Sequence, residues 1–550
     1  MSMITAVTWV PRGAAAAFPT KYDVDEQELA RISKLAKLQL DDAKEDLEDS
    51  KAQGAVEQGS SVSGDSESED AGVNIPQSKI DADSDLAAYD LDHYDDDDEA
   101  PEVGGNLSML GNARSLAYYE TNEEDPYIKL TETQDEDDEE REELQILPTD
   151  SMILAAKVED EVPYLEVYVY EDEADNLYVH HDIMLPAIPL CVEWLDLPVG
   201  KGITSMDDNS RGNFAAVGTM DPDIELWDLD TIDSMYLNAI LGQGNDHTRS
   251  DPSPEGKKKR KPKKSKKAND QYHVDAVLAL AANRQHRNLL ASSSADNTIK
   301  LWDLTSTKCA KSYSYHTDKV CSIAWHPREP TVLLSGSYDR RVIASDLRAA
   351  DANSAAWGVE SDVEAVLWDS HDPNYFFVTT EKGILHMNDI RNRPARPGES
   401  KSVWTLQAHD EAVSSIDINP VIPGFVATGS SDKEVKLWNV QPTGCSMIVS
   451  RNVGVGRVFS TKFGPDPEVA FRLGVAGSKG SFQVWDTSTN GGVRRVFGTR
   501  VSHSANTEKI DRTVGMAEDS SDDEDQGGTE PGGEDGMAGN GWESADDDER

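Results

Sequence analysis

The chain is 550 residues long, 37% hydrophobic and 28% charged, with a formal net charge of −51. Its four cysteines are scattered and its apolar runs are short, which excludes a disulfide framework, a clustered thiolate zinc site and membrane-spanning helices. The acidity is local: about thirty net negative charges fall in residues 21–150 and about thirteen in the tail from Glu518, in tracts too charged to bury themselves.

The first element expected is a strand over residues 3–10. Met3-Ile4-Thr5-Ala6-Val7-Thr8-Trp9-Val10-Pro11 alternates apolar residues and then turns. It matches Val320-Cys321-Ser322-Ile323-Ala324-Trp325-His326-Pro327 further along. No basic region followed by a secretory apolar core precedes it, and isolated cysteines are packing residues, so a soluble protein of a reducing compartment is expected.

Residues 13–148 read as an acidic, largely disordered insertion. Within it, Leu29, Ile32, Ala36 and Leu40 fall at helical spacing, which predicts a short helix. Residues 117–128 set Tyr118, Tyr119 and Tyr127 among acids. Both stretches are candidate docking segments, or else they pack on the flank of the folded part.

Strand text resumes at residues 152–158, 164–170 and 177–184. From there the chain repeats itself. Ser294-Ala295-Asp296-Asn297-Thr298-Ile299-Lys300-Leu301-Trp302-Asp303 returns as Ser430-Ser431-Asp432-Lys433-Glu434-Val435-Lys436-Leu437-Trp438-Asn439, and more faintly around Trp227 and Trp485. Each copy follows an alternating strand: residues 320–327 and 413–420 are clear cases, and 203–209, 274–280, 363–369 and 458–465 are weaker ones. The spacing suits a propeller blade, a four-stranded antiparallel meander, with roughly seven blades in all.

These repeats resemble the WD-repeat family, and the resemblance implies a buried quartet of His, Ser or Thr, Asp and Trp in each complete blade. One set is His273, Ser292, Asp296 and Trp302; another is His409, Thr428, Asp432 and Trp438. A third has His316, Ser335 and Asp339, with Ser345 in place of the Trp. A catalytic role is disfavoured because such sets recur in successive blades, and a buried Asp needs donors. The expected fold is therefore all-β: a seven-bladed β-propeller over 149–500, its first blade split by the insertion and completed by residues 1–12, with 501–550 a disordered acidic tail. The alternative for the N-terminus is a free segment docked at the periphery.

A basic loop spans 242–270, between Trp227 and Trp302. Lys257, Lys258, Lys259, Arg260, Lys261, Lys263 and Lys264 read as a nuclear-import signal or a contact to RNA phosphates. Ser66, Ser520 and Ser521 stand just before acids, the pattern favoured by acid-directed kinases. Gly200-Lys201-Gly202 lacks phosphate-loop spacing, and Gly454-Val455-Gly456 precedes a strand, so it reads as a turn. No paired acids and no metal-ligand spacing appear, so neither an enzyme, a cofactor, a small-molecule substrate nor a membrane partner is expected. Asp346-Leu347-Arg348 and Asp389-Ile390-Arg391 resemble the box of cullin-ligase substrate receptors, but Ser345 and Asn388 replace its Trp.

The opening residues 5–13, the segment 118–128 and the split first blade together resemble one branch of the WD-repeat family, the periodic tryptophan protein one family. That resemblance implies a nucleolar, non-enzymatic scaffold that assembles the pre-60S large ribosomal subunit and supports precursor rRNA processing. Its implied partners are pre-ribosomal proteins and precursor rRNA. The alternatives are a cullin-ligase substrate receptor, and a chromatin adaptor whose acidic tracts hold histones during rDNA transcription.

Overall fold

The computed structural model describes residues 2–22, 144–200, 211–243, 269–348, 354–500 and 513–515, together with Arg141. Alternating apolar residues and short Asp- or Gly-containing turns give seven four-stranded antiparallel sheets among the described residues. Each is a blade, numbered here from the N-terminus. In blade one the innermost strand is Met3–Val10, followed outward by Ser151–Glu159, Val162–Glu171 and Asn176–Met184. Its register runs from Met3 opposite Val158 to Val10 opposite Met152, across a gap of nearly the whole insertion.

Met3–Val10 closes the ring. It packs between Pro189–Leu195 of blade two and Val458–Phe463 of blade seven. The Trp9 indole donates to Lys462 O in the preceding blade at 2.9 Å. The same contact recurs where Trp325 donates to Ala281 O (2.9 Å) and Trp368 to Ala324 O (3.2 Å). Trp9 thus occupies the place of an ordinary inner-strand tryptophan. Thr5 Oγ1 donates to Pro189 O at 2.9 Å, and Val7 N to Ser460 Oγ at 3.2 Å, so both sides of the strand are tied. On the rim, Arg472 joins blade seven to blade one: Nε reaches Asp172 Oδ1 at 2.7 Å and Nη1 reaches Asp486 Oδ1 at 2.6 Å.

Blades pack through a small residue on the second strand. A Cβ on Gly336 would lie 2.7 Å from Val363 Cγ1, the first residue of the next inner strand, so glycine is what lets these blades approach.

The structure redraws several boundaries. Residues 13–21 and 146–148, expected in the insertion, belong with the propeller. Thr20–Lys21 pairs in parallel with Thr231–Ile232, and Ala16 N donates to Asp230 Oδ1 at 2.9 Å. Ile146 N donates to Ala17 O at 3.1 Å, so the chain leaves and re-enters the propeller at one point. The inner strand of blade two is Pro189–Leu195, not 203–209, and residues 201–210 lie outside the described set. Within the expected tail, Thr513–Gly515 pairs with Phe482–Asp486 and supplies the fourth strand of blade seven. A short helix, Gly491–Phe497, lies on the way, its first turn capped by Asn490 Oδ1 accepting from Gly492 N at 2.8 Å. The sequence gives no sign of either element. The helix proposed around Leu29 to Leu40 and the aromatic stretch 117–128 lie outside the described residues.

Candidate functional site

The quartets form as directional relays. In blade three, Trp302 Nε1 can only donate, and it donates to Ser292 Oγ at 2.7 Å. The Ser292 hydroxyl proton then goes to His273 Nε2, 2.7 Å away, and His273 Nδ1 donates to Asp296 Oδ2 at 3.0 Å. Blade six repeats this: Trp438 to Thr428 Oγ1 at 2.8 Å, Thr428 to His409 Nε2 at 2.8 Å, and His409 Nδ1 to Asp432 Oδ2 at 2.8 Å. In blade four His316 holds Ser335 at 2.8 Å and Asp339 at 3.1 Å, with no tryptophan beyond.

The turn after each Asp explains why these residues meet. The next residue is left-handed: Asn297 has φ 66°, Arg340 63° and Lys433 73°. That conformation folds the Asp carboxylate back over the turn, where Asp296 Oδ1 also accepts from Thr298 N at 2.9 Å and Thr298 Oγ1 at 2.6 Å. Burial alone would raise the Asp296 carboxyl, but the His273 and Thr298 donors outweigh it and hold it at about 2. Burial pushes the His273 and His409 rings down from their ordinary value, against the pull of Asp296 and Asp432. Both imidazoles are neutral at pH 7, which is the state the relay needs. Ser292, Thr428 and His273 have no exposed surface, so no substrate reaches a hydroxyl whose proton is already committed. The arrangement holds strands together and offers no accessible nucleophile.

Incomplete blades show what replaces the relay. In blade two Val217 stands at the hydroxyl position, and Trp227 Nε1 turns to Glu225 Oε2 at 3.1 Å. Glu225 is buried, and burial raises its carboxyl to about 7. Sequence reasoning missed this residue; the signal was the missing hydroxyl opposite a retained Trp. A raised carboxyl stays protonated in the fold while the unfolded chain ionises near 4.5, so its contribution is present at low pH and lost as pH rises through about 7. Glu225→Gln keeps the acceptor and removes the titration. Its melting temperature should match wild type at pH 4, below the unfolded value, and exceed it at pH 8; equal melting of the two proteins at both pH values would show that Glu225 ionises freely.

Blade five has no quartet, since Val378 and Asn388 fill the hydroxyl and Trp positions. Blade seven keeps Trp485 but has Val475 at the hydroxyl position; the Arg451 guanidinium lies 5.1 Å from the indole centroid. The two Asp-x-Arg pairs close on themselves: Arg348 Nη2 meets Asp346 Oδ2 at 2.8 Å, and Arg391 Nη2 meets Asp389 Oδ2 at 2.7 Å.

The inner strands enclose an axial channel of about 500 Å³. Two of its charged pairs are internal, Arg284 with Glu193 at 2.8 Å and Lys462 with Asp417 at 3.2 Å. Cys321, also on the channel wall, donates to Val363 O at 2.9 Å and acts as a packing residue. Among the described residues no group of His, Cys, Asp and Glu could hold a metal ion, and no helix is long and apolar enough to cross a membrane. The basic run Lys257 to Lys261, Lys263 and Lys264, and the serines Ser66, Ser520 and Ser521, lie outside the described residues.

The family description "WD domain, G-beta repeat" matches residues 267–303, 307–343 and 400–439. An uncharacterised WD repeat-containing protein of Schizosaccharomyces pombe is 51% identical, covering 95% of this chain and 97% of its own. Periodic tryptophan protein 1 of Saccharomyces cerevisiae is 38% identical over 90% of each chain. The periodic tryptophan protein 1 homolog of Drosophila melanogaster is 30% identical, covering 90% of this chain and 97% of its own. Similarity of this extent reaches well beyond the matched repeats, and the chain belongs to the periodic tryptophan protein 1 family of WD-repeat propellers.

Proposed function

We propose that this protein is a nucleolar scaffold that assembles the pre-60S large ribosomal subunit and supports precursor rRNA processing without catalysing it. Membership of the periodic tryptophan protein 1 family carries the reading, through the role that family resemblance implies. The buried relays agree with it, because they spend their polar groups on holding blades and leave the propeller's outer surfaces for partners. Pre-ribosomal proteins and precursor rRNA are the proposed partners. The basic run from Lys257 provides for nuclear entry, and phosphate on Ser66, Ser520 or Ser521 would favour basic partners over RNA. The cullin-receptor alternative draws no support from Asp-x-Arg pairs that satisfy their own charges in blades lacking the Trp.

Depletion of the protein tests the proposal. Large-subunit levels should fall and precursor RNA should accumulate unprocessed, while small-subunit levels hold. Normal precursor processing after depletion, or an equal fall in both subunits, would contradict it.

A further inference from the structure

The chain is so acidic that a firmly held cationic surface whose charges meet no acid among the described residues stands out. The connection between the third and fourth strands of blade five, from Ile384–Asp389 to Trp404–Gln407, is such a surface. It carries Arg391, Arg393, Arg396 and Lys401 against a single acid, Glu399. Arg391 is spent on Asp389. Arg393, Arg396 and Lys401 are exposed, and no described acid pairs with them.

The loop is nevertheless firmly held. Trp357 Nε1, from the outer strand of blade four, donates to Asn392 O at 3.3 Å. Gly358 N donates to Ser400 Oγ at 2.8 Å, and Ser400 Oγ donates to Pro397 O at 2.6 Å. Val403 N returns to Met387 O at 2.7 Å. Pro394 and Pro397 fix the backbone on either side of Arg396. Glycine at 358 is what allows the approach, because a Cβ there would lie 2.6 Å from the Pro397 carbonyl oxygen.

We infer that this blade-five loop is a contact for the phosphate backbone of RNA, an inference that rests on the pre-ribosomal reading above. A loop ordered before binding loses little entropy when it engages a ligand. Of the exposed cations Arg393, Arg396 and Lys401, two are arginines, whose planar forks match phosphate oxygens in a bidentate way. Such contacts position RNA without reading its sequence.

The test uses the full chain and a mixed-sequence single-stranded RNA, with affinity measured across a salt series. The substitution set Arg393→Gln, Arg396→Gln and Lys401→Gln removes three exposed charges that pair with no acid among the described residues, so the melting temperature should hold. Affinity should fall about tenfold or more, and the slope of log affinity against log salt should become shallower by about 2. Gly358→Ala keeps every charge but displaces the loop, and should give a smaller loss. Unchanged affinity and slope in the triple variant would overturn the inference. So would a polyglutamate peptide binding this loop more tightly than RNA at equal ionic strength. Gradient sedimentation separates this from the parent reading: a triple variant with wild-type RNA affinity that still travels with large-subunit precursors sinks the loop alone. A wild-type protein absent from those precursors sinks the proposed function.

Discussion

Removal of residues 1–12 is expected to prevent the propeller from folding, although the segment precedes an insertion of more than a hundred residues. Met3–Val10 is an inner strand with a neighbour on each side, so its loss strips a backbone ladder from Ser151–Glu159 and opens the ring between blades two and seven. Ile4, Val7, Trp9 and Val10 are all buried. At about 1.5–3 kcal/mol for each large apolar side chain, their burial alone is comparable with the whole stability of a domain, about 5–15 kcal/mol. The truncated protein should appear in the insoluble fraction or melt without a cooperative transition. A truncation that melts within a few degrees of wild type would refute the closure.

Asp296→Ala is expected to destabilise the protein by about 2–4 kcal/mol, through several buried donors left without an acceptor. The Asp296 carboxylate takes His273 Nδ1, Val274 N at 3.2 Å, Thr298 N and Thr298 Oγ1. Asp432→Ala should act in the same way through His409 and Glu434 N, which lies 2.9 Å from Asp432 Oδ1. Steady-state abundance should then fall in step with ribosome assembly. Denaturant midpoints and protein levels, measured beside precursor RNA, check this. A variant with wild-type stability and level that still abolished RNA maturation would give the relays a chemical role.

Much of this was legible because the repeats are local. Thr8-Trp9-Val10-Pro11 echoes Ala324-Trp325-His326-Pro327, and that echo points to an inner strand at the N-terminus before any partner is known. The relays were legible because their four residue types stand at fixed distances from Trp302 and Trp438. Other elements were not. Thr513–Gly515 is too short to carry a period, and only the open edge of Phe482–Asp486 selects it. The inner strand of blade two hides in Pro189–Leu195, which opens on a proline where the matching strands open on Val320, Val363 and Val458. Thr20–Lys21 pairs with Thr231–Ile232, an association between distant residues that no local pattern encodes. Nothing local marks Glu225: it lies opposite Val217, and its role as acceptor for Trp227 shows only once the strands are paired.

The central claim, that this ring-closed propeller works as a scaffold in the large-subunit precursor, is tested most directly by purifying the tagged full-length protein at its native level and identifying what comes with it. The account predicts unprocessed precursor RNA of the large subunit together with large-subunit proteins, and crosslinks from that RNA to the propeller. Recovery of a cullin adaptor or of histones, with no precursor RNA, would contradict it.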